Sequence, residues 1–231
     1  MDRLQFYLTA ETPCPYLPDR DSANIVPDPM VPVTSGIYDQ LIQLGFRRSG
    51  DHVYRPHCPS CSACVPVRIP VESFQSRRTD RRLLRSNADI QTATLAADFH
   101  EEHFELYQRY TADRHPDGGM ATMGREEYIG FLSTSWGTTW FTEFRLEERL
   151  IAVAAYDQVS DGLSAVYTFF DPEMKQRAPG RLAILWQIEE TRRLGLPHLY
   201  LGYWIAECDK MSYKADYRPL EKFYKGQWLR D

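Results

Sequence analysis

Cys58, Cys61 and Cys64 stand at two-residue intervals, and the arginine-dense run Ser76-Arg77-Arg78-Thr79-Asp80-Arg81-Arg82-Leu83-Leu84-Arg85-Ser86-Asn87 follows them closely. Five cysteines are an odd total, and three of them share seven positions, which argues for reduced thiols or a bound metal rather than a secreted disulfide framework. Between Gln75 and Asn87 five arginines face a single acid, a net charge of +4 on a chain whose overall charge is −5. A local positive site on an acidic protein is not a general polyanion binder; it suggests a nucleic acid or phosphate group docked at one place.

With 231 residues, 43% of them hydrophobic and 13% aromatic, the chain can bury a substantial core as one large domain or two small ones. No stretch approaches the roughly 18 to 20 uninterrupted apolar residues that a membrane span requires. The opening residues Met1-Asp2-Arg3-Leu4-Gln5-Phe6 lack the basic-then-apolar layout of a secretory signal, so the expected location is the cytoplasm.

Pro13, Pro15, Pro18, Pro27, Pro29 and Pro32 each fix their own φ and bias the preceding residue away from helix, so the first thirty-odd residues read as extended and loop-like. Thr34-Ser35 ahead of Ile37, Tyr38, Leu41 and Leu44, with Gly45 as a stop, reads as a short helix. Residues 65–71 contain Pro66 and Pro70 and are expected to form an edge or irregular strand. Asp98-Phe99-His100-Glu101 has the form of a capping box, and Phe99, His103, Leu106, Tyr107 and Tyr110 carry one helical face to about Arg114. His115-Pro116-Asp117-Gly118-Gly119 then breaks the chain.

A short helix is expected over residues 125–132, followed by three strands over 138–146, 150–158 and 163–170, which form an antiparallel meander. A helix over 181–194, closed by Gly195 and Pro197, leads to a strand over 198–204, giving a meander, a helix and a parallel return strand. The fold class is therefore α/β (α+β), organised as a cysteine- and arginine-containing region over residues 1–90 and a second region over 91–231. The order of elements in the second region resembles the GNAT acyltransferase fold, in which amides at the start of the helix hold a pyrophosphate. Here Pro179 lacks an N–H at that position, which weakens a coenzyme A cradle and leaves room for a different acyl donor.

Several motifs, in order along nearly the whole chain, carry a more specific resemblance: Cys14-Pro15-Tyr16-Leu17-Pro18, the segment from Cys58 to Arg68, the arginine run ending in Asn87, Gly202-Tyr203-Trp204-Ile205 and Met211-Ser212-Tyr213-Lys214. Together they resemble the aminoacyl-tRNA protein transferases of the N-degron pathway. By length the chain is similar to the bacterial, leucine-transferring branch rather than to the longer arginine-transferring eukaryotic relatives. The resemblance implies leucyl-tRNA as donor, proteins beginning with Asp or Glu as acceptors, and neither membrane nor DNA as a partner.

The chemistry of the residues fits such a reaction. A protein α-amine has a reference pKa near ~7.7, so much of it is already nucleophilic at neutral pH, and the site has to align it with an activated ester and stabilise the oxyanion. Tyr203, Tyr213 and Lys214 are candidate catalytic donors, with Glu207 or Asp209 able to receive a proton, although an aromatic at a strand end is often simply core. If the run is helical, Arg77, Arg81 and Arg85 share a face with Arg78 and Arg82 beside them, a stripe suited to tRNA phosphates or to the acidic N-terminus; a solvated, ion-paired face is the plain alternative. Cys14 with Cys58, Cys61 and Cys64 would supply four thiolates for a structural zinc or an iron–sulfur cluster, or could equally be small buried hydrophobes; transfer itself requires no cofactor. His57, beside Cys58, is the one histidine near a metal-ligand pattern. The competing functions are an arginyl-tRNA transferase, a coenzyme A-dependent N-acetyltransferase and a non-catalytic, zinc-dependent RNA-binding adaptor.

Overall fold

The computed structural model describes residues 4–114 and 119–231. Of the chain break expected over residues 115–119, residues 115–118 lie outside the described residues, and Gly119 opens a short 3-10 turn, Gly119–Thr122. Extended backbone dominates the proline-rich start: β1 (Phe6–Leu8), β2 (Thr12–Pro13), β3 (Asp21–Ser22) and β4 (Asn24–Pro27) are short strands. Helix α1 (Ser35–Gln43) begins where expected, because the Thr34 hydroxyl accepts from the Ile37 N–H at 3.3 Å, and Gly45 ends it at φ +82°. Strands β5 (Arg47–Ser49) and β6 (His52–Pro56) then join β4 and β1 in a four-stranded sheet ordered β1-β4-β6-β5.

The rest of the chain builds one eight-stranded mixed sheet. Its elements run β7 (Val65–Pro70), α2 (Arg78–Ser86), β8 (Ile90–Ala96), α3 (Glu101–Arg114), α4 (Arg125–Leu132), β9 (Thr138–Leu146), β10 (Arg149–Val159), β11 (Gly162–Phe170), α5 (Pro179–Arg193), β12 (His198–Trp204), α6 (Asp209–Ser212), β13 (Glu221–Tyr224) and β14 (Gln227–Arg230). The spatial order is β14-β13-β7-β12-β11-β10-β9-β8. Strands β9, β10 and β11 form the expected antiparallel meander, and β12 returns parallel to β11 after α5.

Two expectations are corrected. Strand β7 is not at an edge: it lies between β12 and β13, so residues of the first region sit inside the sheet of the second. Pro66 and Pro70 are an even number of residues apart, so their missing donors face the same neighbour. The pairing with β13 uses only Val67 and Arg68, between the two prolines. Helix α3 begins at Glu101 rather than at the residue after Asp98, and the exposed Phe99 precedes it. The residues it buries include His103, Phe104, Leu106 and Tyr107.

Strand β10 shows why the core forms here. Val153 and Ala155 pack with Phe104 and Tyr107 of α3, whereas Ala152 and Ala154 pack with Leu182 and Ala183 of α5. A strand covered on both faces reads as a continuous apolar run, which Leu150 to Tyr156 is. The parallel contact between β11 and β12 spans only Gly162↔His198, Leu163↔Leu199 and Ser164↔Tyr200. It requires glycine at 162, where a Cβ would lie 2.2 Å from the His198 carbonyl oxygen. Beyond Ser164 and Tyr200 the two strands part, and β12 carries a bulge between Tyr200 and Gly202.

Candidate active site

The opening between β11 and β12 is lined by several residues with chemical potential. The half of β11 that has left its partner, from Ala165 to Thr168, is only partly buried. Tyr203, on the diverging half of β12, is buried, and its hydroxyl lies 3.0 Å from the Gly45 carbonyl and 3.2 Å from that of Tyr54. Its one proton is therefore committed to main chain, and burial pushes the phenol well above its usual range. Tyr203 fastens β12 to the turn before β5 and to β6.

Lys214 follows α6. Its Nζ donates to the Tyr203 carbonyl at 2.6 Å and lies 3.2 Å from the Met211 sulfur, with only 7% of the residue exposed. Burial, and secondly the charge of Arg47, bring its amine down to about 7. Neighbouring Tyr213 is exposed, with its ring 5.9 Å from the Lys214 ammonium. The structure thus brings Tyr203, Tyr213 and Lys214 to one end of β12. Glu207 and Asp209 are exposed, and Glu207 is tied to Arg20 at 3.3 Å.

The arginine run forms α2. Its one acid, Asp80, turns inward and is 1% exposed. Burial alone would raise its carboxyl, but Arg181 at 2.6 Å and the Arg77 N–H at 2.9 Å outweigh that and hold it below its usual range. The outward face is consequently basic: Arg77, Arg78, Arg81, Arg82 and Arg85 are all exposed. Arg77 ion-pairs with Asp80 and Asp216, Arg81 donates to the Ser76 carbonyl and Arg85 to the Arg81 carbonyl. Arg78 and Arg82 make no ion pair among the described residues.

Helix α2 also covers the start of α5. Asn87 donates to the Arg177 carbonyl at 3.1 Å, and Arg181 lies between Asp80 and Asp216. Pro179 occupies the first position of α5, behind Ala178 at φ +46°. Where a GNAT enzyme presents free amides to a pyrophosphate, this chain has a proline and an arginine–aspartate cluster. A cleft of about 410 Å³ lined by Arg77, Thr79, Leu83, Ala178, Arg181 and Asp216 runs along this junction.

The four candidate metal ligands lie in one neighbourhood. Cys14, Cys61 and Cys64 border an apolar cluster of Leu17, Ile205 and Cys208, while Cys58 pairs with Cys61 through an isolated β-bridge. Burial pushes the Cys64 thiol up to about 12, with Cys58, Cys14, Cys61 and Cys208 adding in the same direction. Cys61 is instead lowered by the Ala63 N–H and by Arg20, whose guanidinium lies 3.3 Å from its sulfur. The thiols are gathered but not convergent: among the described residues no three His, Cys, Asp or Glu side chains form a ligand set. His57 is exposed.

Sequence reading missed Arg47, whose guanidinium occupies the vertex where β11 and β12 part: it donates to the Ser164 hydroxyl at 2.8 Å and to the Ala165 carbonyl. No spacing marks it, since its position there depends on strands more than a hundred residues away in sequence.

A mixed sheet opens between two parallel strands, the buried basic side chains of Arg47 and Lys214 lie near the opening, and the exposed arginine helix packs against the start of α5, an arrangement suited to acyl transfer. The family model described as arginine-tRNA-protein transferase, C terminus, matches residues 102–224, and the N-terminal model of the same family matches residues 12–82. A protein named aspartate/glutamate leucyltransferase from Pseudomonas paraeruginosa is 49% identical over 227 residues, covering 98% of this chain and 97% of its own. One of the same name from Alcanivorax borkumensis is 48% identical, covering 99% of this chain and 94% of its own. Among solved structures, the C-terminal domain of a chain described as a lysylphosphatidylglycerol synthetase from Agrobacterium fabrum overlaps 62% of this chain and 47% of its own, at 11% identity and a TM-score of 0.48. The chain belongs to the arginine-tRNA-protein transferase family and is an aminoacyltransferase.

Proposed function

We propose that the protein transfers leucine from leucyl-tRNA to the α-amine of proteins beginning with Asp or Glu, creating a destabilising N-terminus for the N-degron pathway. The observation that carries this is the match, over nearly the full length of both chains, to relatives named for that activity. No helix among the described residues is long and apolar enough to cross a membrane, and the proposed place of action is the cytoplasm, where charged tRNA and new N-termini meet.

In this mechanism the acceptor amine attacks the leucyl carbonyl carbon, a C–N bond forms, and the ester bond to the tRNA ribose breaks. Lys214, half neutral near pH 7, takes the proton that the amine loses, and the departing ribose oxygen is protonated in turn. Tyr203 positions β12, and Tyr213 closes the exposed side beside Lys214. The α2 arginines engage the phosphates of the acceptor stem. The transfer needs no cofactor, and any zinc or iron–sulfur cluster on Cys14, Cys58, Cys61 and Cys64 would act on the structure of the N-terminal region, not on the reaction.

The test is transfer of labelled leucine to matched peptides beginning with Asp, Glu, Ala or Lys, with arginyl-tRNA and acetyl-coenzyme A as competing donors. Incorporation from leucyl-tRNA restricted to Asp and Glu peptides is expected. Incorporation from arginyl-tRNA or acetyl-coenzyme A alone would replace leucine as the donor, and tRNA binding without transfer would make the chain an adaptor.

Reversing Arg78 and Arg82 to glutamate is expected to weaken tRNA binding uniformly across sequences. The slope of log affinity against log salt should fall by roughly one per arginine, measured by filter binding over a salt series. An unchanged slope would leave α2 a merely solvated face.

A further inference from the structure

Strand β5 carries two adjacent buried arginines that are treated in opposite ways. Arg48 is neutralised by Asp157, with Nη2 at 2.5 Å from one carboxylate oxygen and Nε at 2.6 Å from the other. Arg47 has no carboxylate partner among the described residues, although the residue is only 9% exposed. A guanidinium has five N–H donors, and Arg47 makes two hydrogen bonds, to Ser164 and to the Ala165 carbonyl. The remaining donors have no protein acceptor among the described residues. Taking a cation out of water without a counter-charge is costly, and a fold that supplied Asp157 to one arginine supplied nothing to its neighbour.

The surroundings sharpen the point. Gly202, at φ +81° on the bulge of β12, presents its bare Cα to Arg47: a Cβ there would lie 3.3 Å from the Nε. Glycine at this position lets the β12 backbone approach the guanidinium closely. The buried Tyr38 hydroxyl feels both the charge of Arg47 and the Ser164 hydroxyl that Arg47 contacts, and makes no hydrogen bond of normal geometry among the described residues. Lys214, the second buried basic group, has no carboxylate partner among the described residues either, where its contacts are the Tyr203 carbonyl and a methionine sulfur. Spare donors and uncompensated positive charge meet where β11 and β12 separate.

We propose that Arg47 reads the acceptor's acidic side chain, receiving the Asp or Glu carboxylate of the incoming N-terminus at the parting of β11 and β12. The proposal rests on the transferase reading and specifies which arginine gives it acidic selectivity. A planar carboxylate matches the fork of a guanidinium. The exposed arginines of α2 are suited to phosphates, and Arg47 to one buried small anion. Binding there would fix the α-amine beside Lys214, so recognition and proton transfer would share one vertex.

The experiment compares kcat/KM for leucyl transfer to peptides beginning with Asp and with its uncharged isostere Asn, in the unmodified chain and in Arg47→Met, Arg47→Lys and Arg78→Ala. Loss of a charge-assisted contact is expected to lower the Asp-over-Asn ratio by about 10- to 100-fold in Arg47→Met. The ratio should fall partially in Arg47→Lys, which keeps the charge but loses the fork, and not at all in Arg78→Ala. A purely structural arginine would lower both peptides together and leave the ratio unmoved. Thermal melts identify any variant that does not fold, and Arg47→Lys then decides alone. A folded Arg47→Lys with the unmodified ratio, or a ratio that collapses in Arg78→Ala instead, overturns the proposal. Failure of the unmodified chain to transfer leucine to either peptide overturns the transferase reading, and is distinguished by needing no variant to appear.

Discussion

Replacing Arg48 with alanine is expected to destabilise the protein by about 3–5 kcal/mol, read as a fall in the urea midpoint at unchanged slope. The side chain is 1% exposed and that of Asp157 is 4% exposed, so water cannot replace what is lost. Arg48 grips both oxygens of Asp157 and donates to the Leu132 carbonyl at 2.9 Å, the Ser133 carbonyl at 3.3 Å and the Thr139 hydroxyl at 3.1 Å. One guanidinium therefore joins β5 to β9, β10 and the end of α4. Its removal leaves an unpaired buried carboxylate and carbonyls without a donor, and that residue of desolvation sets the size of the effect. Arg48→Met combined with Asp157→Leu should cost much less than the two single changes together, because the double variant buries no lone charge. Additive costs would mean that the pair does not act as a unit.

That contact also marks the limit of what sequence reading reaches. The meander, α4, α5 and β12 were legible because each signal is local: alternating or continuous apolar runs, a polar start, and a glycine after the last helical turn. Helix α1 was legible for the same reason, through Thr34 and Gly45. Strand β7 was not, since its place is fixed by pairing with β12 and β13, which lie far along the chain and happen to demand little of the positions its prolines occupy. Arg47 and Arg48 look alike in the sequence, and only the return of β10 and β11 beside β5 makes one a paired strut and the other an unpaired cation. Tyr203 and Lys214 were singled out by motif. Their different environments, a hydroxyl committed to main chain and an amine half neutral at pH 7, follow from burial that no local pattern encodes.

Lys214→Met is expected to reduce transfer by about 10²- to 10⁴-fold while tRNA affinity stays close to that of the unmodified protein. Removing an amine that carries the proton should appear in the pH profile as well. Transfer that needs both a neutral acceptor amine and a neutral Lys214 rises with a slope of about 2 on a log scale below pH 7, and the variant should retain a slope of about 1 from the acceptor alone. The same substitution should have the opposite effect on stability. The amine sits at about 7 when folded, against an ordinary lysine value of 10.5, so the unfolded chain binds the extra proton between those limits and stability rises with pH across that window. Below pH 7 the folded protein carries a buried charge at full cost, and there Lys214→Met should be more stable than the unmodified chain, an advantage that shrinks towards pH 10.5. Lys214→Arg separates proton transfer from mere positive charge, since a guanidinium keeps the charge but does not give up its proton in this range. Full turnover in that variant would leave Lys214 an electrostatic support of the site, whereas a loss matching that of the methionine variant would fix it as the group that accepts the proton.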